Sequence, residues 1–182
     1  MAGLKNYEHS IKKVIEWIKE PLLAVLAAVM LSCFIISHTH VPTGSMIPNI
    51  YPGEHLIVNR MPYYYRDPKP GEIVVFKLGG ENLIKRVIAV PGDIIMIQEG
   101  KVYINAVPLD EVDYVESEES TYLFSDSPLT FPYKVPEGYY FMMGDNRKNS
   151  KDSRYFGAIP RERIFAKAGF CIYPFERVGL VR

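Results

Sequence analysis

The sequence is short of the residues that most often advertise cross-links or metal chemistry. It has two cysteines, Cys33 and Cys171, so at most one disulfide is available, and one lies in an apolar run while the other sits near the C-terminus. Both read as free thiols, which leaves the redox compartment open. Histidine is nearly as scarce, at four residues. His38 and His40 have a spacing usable for a metal, with His55 as a third donor, but there is no HExxH and no cysteine pair, so no metal site is assigned. Neither charge dominates: Lys plus Arg and Asp plus Glu both number 21. A nucleic-acid partner, which normally shows as a basic excess, is therefore not expected. No long amphipathic helix separates the β-type segments, which argues against a parallel βαβ sheet, and no internal repeat is visible.

What is present begins with an uncharged stretch. From Pro21 to Ser37, "PLLAVLAAVMLSCFIIS" offers 17 positions without a charge, the lower limit for a membrane-spanning helix. Before it, "SIKKVIEWIKE" sets Ile11, Val14, Ile15 and Ile18 at helical spacing with Ser10 as an N-cap, so an interfacial helix is expected, with Trp17 at headgroup depth. Lys5, Lys12, Lys13 and Lys19 precede the run, and no Lys or Arg follows it until Arg60. This asymmetry puts the N-terminus in the cytoplasm. The rival, a cleaved signal peptide, fits less well: the run exceeds the usual ~7 to 15 residue core and Ser37-His38-Thr39 is a poor cleavage site. The expected division is a cytoplasmic tail over 1–20, a transmembrane anchor over 21–38 and an extracytoplasmic β domain over 39–182.

The body reads as sheet. "HLIVNR", "EIVVFKL", "NLIKRVIAV", "DIIMIQEGKVYIN", "GYYFMMGD" and "FAKAGFCIYPF" are short β-branched or aromatic segments separated by turn pairs such as Pro52-Gly53 and Pro91-Gly92. The expected fold class is mainly β, a coiled, barrel-like antiparallel sheet. Residues 110 to 126 hold seven acidic residues and no basic one. This acidic excursion, taken to extend to about 130, reads as an exposed, charge-solubilised segment and receives no site.

Three stretches carry chemistry. In "NLIKRVIAV", alternation places Leu83, Lys85, Val87 and Ala89 on one face and Ile84, Arg86, Ile88 and Val90 on the other. Both faces are mostly apolar, so Lys85 is a candidate for burial, which lowers a lysine pKa and makes a neutral base available; snorkelling or pairing with Glu72 is the plainer reading. In "PTGSMIP", Ser45 follows Gly44, where the chain can turn tightly, and a serine needs a base before it attacks. The Thr43 hydroxyl and the Ser45 N–H could face an oxyanion; an ordinary proline-flanked loop is the alternative. "MGDNRKNSKDSRYFG", residues 143 to 157, suits a hydrogen-bonded loop that holds other groups, with Asp145 or Asp152 pairing Arg147 or Arg154.

Taken in order, "PTGSMIP", "GEIVVF", "LIKRVIAVPGD" and "GDNRKNSKDSRYFG" resemble the motif boxes of the type I signal peptidases, the membrane-anchored bacterial leader peptidases. The resemblance implies a Ser/Lys dyad with Ser45 as nucleophile and Lys85 as general base. It implies an oxyanion hole from Thr43, where many members have serine, and the Ser45 N–H. Ser150 would orient the lysine, with Asp152 and Arg154 as a supporting ion pair. Val41, Met46, Ile50, Leu83 and Ile84 match residues that shape shallow pockets for small side chains.

The implied activity is removal of signal peptides from exported preproteins after small-x-small sites, without metal, nucleotide or other cofactor. The implied partners are preprotein signal peptides, membrane lipid and, through function, the secretion machinery. The implied location is the bacterial cytoplasmic (inner) membrane, single-pass. Two other classes stay open: a catalytically inactive tethered β domain that binds exported proteins, and a metal hydrolase built on His38 and His40. A self-cleaving repressor would need a DNA-binding helical domain where this chain has its apolar run.

Overall fold

The computed structural model describes residues 2–117, 120–123 and 127–181. The chain divides into two compact units, Met1–Ile36 and Ser37–Arg182.

The first unit is a single helix, α1 (Ala2–Ile35), with Pro21 inside it. The interfacial helix expected over residues 10–20 and the apolar run after it, as far as Ile35, form one continuous helix. Proline there removes one backbone donor without forbidding helix on either side. Ser10, expected as an N-cap, lies in its interior. Leu22, Leu23, Val25, Leu26 and Val29 are exposed, and at ~100° per residue these positions face several directions. Among the described residues no helix is long and apolar enough to cross a membrane. The Cys33 side chain lies outside the described residues, and Cys171 is a buried free thiol.

The second unit is mainly β. Its strands are β1 (Ile36–His40), β2 (His55–Asn59), β3 (Ile73–Leu78), β4 (Glu81–Ala89), β5 (Ile94–Gln98) and β6 (Lys101–Ile104) in the first half. The second half supplies β7 (Val107–Pro108), β8 (Tyr133–Lys134), β9 (Tyr139–Met143), β10 (Ile159–Pro160), β11 (Ile164–Tyr173) and β12 (Gly179–Leu180). Two one-turn helices, α2 (Pro62–Tyr65) and α3 (Ser153–Phe156), interrupt them. The larger sheet has the order β1-β2-β11-β3-β4-β9-β10, with β12 also on β11, and the smaller one the order β7-β6-β5-β8. The ladders of β11 with β2, β3 and β12, of β4 with β3 and β9, and of β5 with β6 are antiparallel. The larger sheet is open, with β1 and β10 at its ends, rather than a closed barrel.

"IMIQEGKVYIN" forms the β5–β6 hairpin. Gln98 pairs with Lys101, and Glu99 (φ 52°) and Gly100 (φ 79°) make the two-residue connection. Two successive positive φ values match the right-handed strand twist, and glycine meets that demand at the second position without strain.

Apolar side chains from both faces of the larger sheet form the core. One cluster joins Val41, Met46 and Ile50 to Leu56, Val75 and Ile84. Another packs Phe76, Val87 and Met142 against Ile159. The central strands β3 and β4 are covered on both sides, which explains their near-continuous apolar sequence.

Candidate active site

Strand register brings distant segments together. Lys85 stands opposite Val74 of β3, and its neighbour Arg86 stands opposite Met143, the last residue of β9. The loop after β9 therefore starts beside Arg86. The Ser45 segment follows edge strand β1 and is closed by two backbone bonds, Val41 N–H to the Glu54 carbonyl (2.9 Å) and Gly53 N–H to the Val41 carbonyl (2.8 Å). Val41, Met46 and Ile50 are buried in the core and fix this segment from below. A Cβ on Gly44 would meet Ile47 Cδ1 at 2.9 Å, so that turn is tight.

Ser45 Oγ lies 2.6 Å from Lys85 Nζ, and Nζ is 3.0 Å from the Ile84 carbonyl oxygen. Lys85 is only 3% exposed. Burial lowers its pKa from the ordinary 10.5 to about 8; the carboxylates of Asp152 and Asp145 oppose the shift and Arg154 adds to it. Glu72 does not hold this lysine. Its carboxylate accepts instead from Arg66 (2.6 Å), Lys167 (3.0 Å) and Tyr63 (3.0 Å). The Thr43 hydroxyl lies 3.4 Å from Ser45 Oγ.

The loop after β9 is a network of buried pairs. Arg154 binds Asp152 through Nε (2.9 Å) and Nη2 (2.8 Å), and Asp152 also caps α3 and accepts from Gly144 N–H at 3.0 Å. Arg86 holds Asp145 in a two-pronged pair at 2.8 and 2.7 Å. Asp145 also accepts from Asn49 (2.8 Å), on the segment after Ser45. Asn146 donates twice, from its backbone to the Ser45 carbonyl (3.1 Å) and from its side chain to the Gly44 carbonyl (3.0 Å). Among the described residues Ser150 Oγ is buried without a hydrogen-bond partner, so no bond to Lys85 is formed.

Gly144, Asn146, Arg86 and Asn49 carry no role in the reading of the sequence. Arg86 carried a usable signal. It occupies the opposite face of the strand that buries Lys85, and a buried guanidinium needs a carboxylate. Asp145 was considered as a partner for Arg147 or Arg154; its partner is Arg86. Nothing local in the sequence marks the packing role of Gly144. A Cβ there would lie 2.3 Å from the Ser45 carbonyl oxygen and 2.2 Å from Ser150 Oγ.

Two depressions meet at Ser45. One, of about 470 Å³, lies between Val41–Thr43 and Asn82–Ile84 with Met46 at its base. The other, of about 490 Å³, opens past Leu83 and Lys85 toward Phe156. Of the expected pocket residues, Val41, Met46, Leu83 and Ile84 line the first. Ile50 is 0% exposed and supports that wall from the core. His38 and His55 stack with centroids 4.9 Å apart and nitrogens 2.8 Å apart, and His40, at the rim of the first depression, lies edge-on to His55 at 5.2 Å. Among the described residues no group of three or more His, Cys, Asp or Glu is arranged to hold a metal ion.

Two outcomes follow from this geometry. Because the folded pKa of Lys85, about 8, lies below its ordinary 10.5, the unfolded chain binds more protons between those values and stability rises with pH across that window. Below about pH 8 the full penalty applies, so Lys85→Met raises unfolding free energy by roughly 3 kcal/mol at pH 7 and by nothing above pH ~10.5, read by denaturant titration. Equal effects at both pH values would remove burial as the cause. Gly144→Ala pushes on the Ser45 carbonyl, and turnover falls by about 100-fold while circular dichroism is unchanged.

The geometry can be set beside known proteins. The family described as signal peptidase, peptidase S26, matches residues 14–173. A protein of Synechocystis sp. named "Probable signal peptidase I-2" is 37% identical over 171 residues, covering 90% of this chain and 75% of the relative. "Signal peptidase I S" of Bacillus subtilis is 33% identical over 171 residues, covering 92% and 93%. A solved signal peptidase I from Enterococcus faecalis shares 31% identity with a TM-score of 0.47, covering 56% of this chain and 97% of that one. The chain belongs to the signal peptidase family, peptidase S26, and is a serine endopeptidase.

Proposed function

We propose that this endopeptidase removes N-terminal signal peptides from exported preproteins, using Ser45 as nucleophile and Lys85 as general base. The observation that carries the proposal is the 2.6 Å contact between Ser45 Oγ and a lysine whose pKa burial brings down to about 8. At that pKa a substantial fraction of Lys85 is neutral near physiological pH, matched to a proton-transfer role. Contact of an alcohol with a poised base is what serine requires before it can attack. An inactive binding domain would have no use for a buried lysine against a serine.

Lys85 Nζ takes the Ser45 hydroxyl proton as Oγ attacks the scissile carbonyl carbon. The Thr43 hydroxyl and the Ser45 N–H stabilise the resulting oxyanion. The C–N bond then breaks, the Lys85 ammonium protonates the leaving amine, and an acyl-enzyme remains. Neutral again, Lys85 takes a proton from water, whose oxygen attacks the acyl carbon. The ester C–O bond breaks and the proton returns to Ser45. Ser150, whose buried Oγ has no hydrogen-bond partner among the described residues, turns to accept from Lys85 Nζ once the Ser45 proton has moved and so orients the ammonium, and the Asp152–Arg154 pair supports the loop beneath.

The substrate lies extended between residues 41–43 and 82–84, its small side chains entering the shallow apolar depression that Val41, Met46, Leu83 and Ile84 line. Specificity for small-x-small sites follows from that shallowness. The uncharged run Pro21–Ser37 within and just past α1 tethers the enzyme to the bacterial cytoplasmic membrane. Lys5, Lys12, Lys13 and Lys19 hold its N-terminus inside, and the β domain 39–182 meets preproteins outside as they leave the secretion machinery.

The test is cleavage of a purified preprotein by the detergent-solubilised chain, with the new N-terminus read by mass spectrometry. Wild type cuts after a small-x-small site, and Ser45→Ala and Lys85→Ala each lose turnover by at least ~10⁴-fold with their fold intact. Substantial activity in either variant contradicts the dyad, and binding without cutting by wild type favours the tethered binding domain.

A further inference from the structure

The acidic excursion, read from composition as a solvated appendage, is partly buried. Glu111 is 4% exposed and Thr121 0%. Both face Arg147, itself buried. The Arg147 guanidinium donates to both carboxylate oxygens of Glu111, through Nη1 at 3.1 Å and through Nη2, and Nη1 also donates to Thr121 Oγ1 at 2.8 Å. Its Nε donates to the Gly144 carbonyl at 3.1 Å. Gly144 and Asn146 are the residues that pack on and bind the Ser45 carbonyl.

The excursion is tied down at both ends. Leu109 N–H bonds the Val102 carbonyl in β6 (2.9 Å), and Thr121 N–H bonds the Gly100 carbonyl in the β5–β6 turn (3.0 Å). Between these points it also reaches the Ser45 segment. The Tyr114 carbonyl accepts from Asn49 (2.9 Å), the Tyr114 hydroxyl donates to Glu111 (3.2 Å), and its ring lies 4.3 Å from the Arg86 guanidinium.

We propose that residues 110–117 and 120–123 form a strap that positions the nucleophile, acting through Glu111 and Thr121 on Arg147 and from there on Gly144–Asn146 and Ser45. This rests on the Ser45/Lys85 reading. A buried ion pair is a poor source of stability, since an apolar replacement of equal volume commonly does as well. What a forked guanidinium–carboxylate pair supplies is fixed direction. Here that direction sets the plane in which Arg147 Nε meets the Gly144 carbonyl. Glu111 and Arg147 are therefore positioning residues, neither of which touches substrate.

The test compares Glu111→Gln, Glu111→Asp and Thr121→Val with wild type in preprotein cleavage, with rates normalised to active enzyme titrated at Ser45. A displacement of the nucleophile by a fraction of an ångström lowers kcat about 10- to 100-fold for Glu111→Gln, with KM held within about twofold. Glu111→Asp, which keeps the charge, recovers part of that loss. Thr121→Val, the milder change, loses about 3- to 10-fold and serves if Glu111→Gln does not fold. Asp113→Asn, an exposed acid of the same segment, keeps full activity. The strap is overturned if the Glu111 and Thr121 variants keep kcat within about twofold per titrated site while only their melting temperatures fall, or if Asp113→Asn is as damaging. Ser45→Ala and Lys85→Ala assayed alongside separate the two levels: inactive dyad variants with an intact Glu111→Gln remove the strap alone, whereas active dyad variants remove the reading beneath it.

Discussion

An ammonium group on Lys85 has to be taken out of water, and much of the site follows from how the fold manages that. Strand β4 is covered on both faces, so the lysine stem has apolar neighbours whichever way it points. Burial alone would neutralise it further, and the carboxylates of Asp152 and Asp145 pull the other way. Left unpaired, those two carboxylates would restore the ammonium. Each is instead committed to an arginine, Asp152 to Arg154 and Asp145 to Arg86. The result is a lysine whose pKa lies at about 8, which neither complete desolvation nor a free ion pair would give.

The same ion pairs have a mechanical side. Asp152 accepts from Gly144 N–H, and Asp145 accepts from Asn49 beyond Ser45. Loosening either would alter both the charge around Lys85 and the place of Ser45. Lys85 itself projects from a central strand of a rigid sheet, whereas Ser45 sits in a loop. The loop is made precise from two sides, by buried Val41, Met46 and Ile50 below and by Asn146 along its carbonyls. Arg147, Glu111 and Thr121 extend that support outward into the excursion.

Much of the fold was legible because its signals are local. Each quoted β-type segment contributes a strand, and Glu99-Gly100 marks a hairpin turn. Lys85 was legible for a related reason: alternation with apolar residues on both faces leaves a charge nowhere wet to go. The arginine network was not, because its partners lie far apart in sequence. Arg86 meets Asp145 59 positions away, and Arg147 meets Glu111 at 36. Composition described the excursion correctly as acidic but could not say which acid turns inward. Ile50 is a similar case, since apolar character does not distinguish the wall of a cleft from the core behind it.

The central claim is that burial brings the Lys85 pKa down to about 8, close enough to neutral pH for a working fraction of it to act as a base. It is tested most directly by titrating Lys85 itself, following the ¹³Cε resonance of labelled lysine in the detergent-solubilised chain and assigning it by its loss in Lys85→Met. A midpoint near pH 8 is the expected result. A midpoint at the ordinary lysine value of 10.5 would contradict the account, because the lysine beside Ser45 would then be an ammonium throughout the range in which it is asked to take a proton.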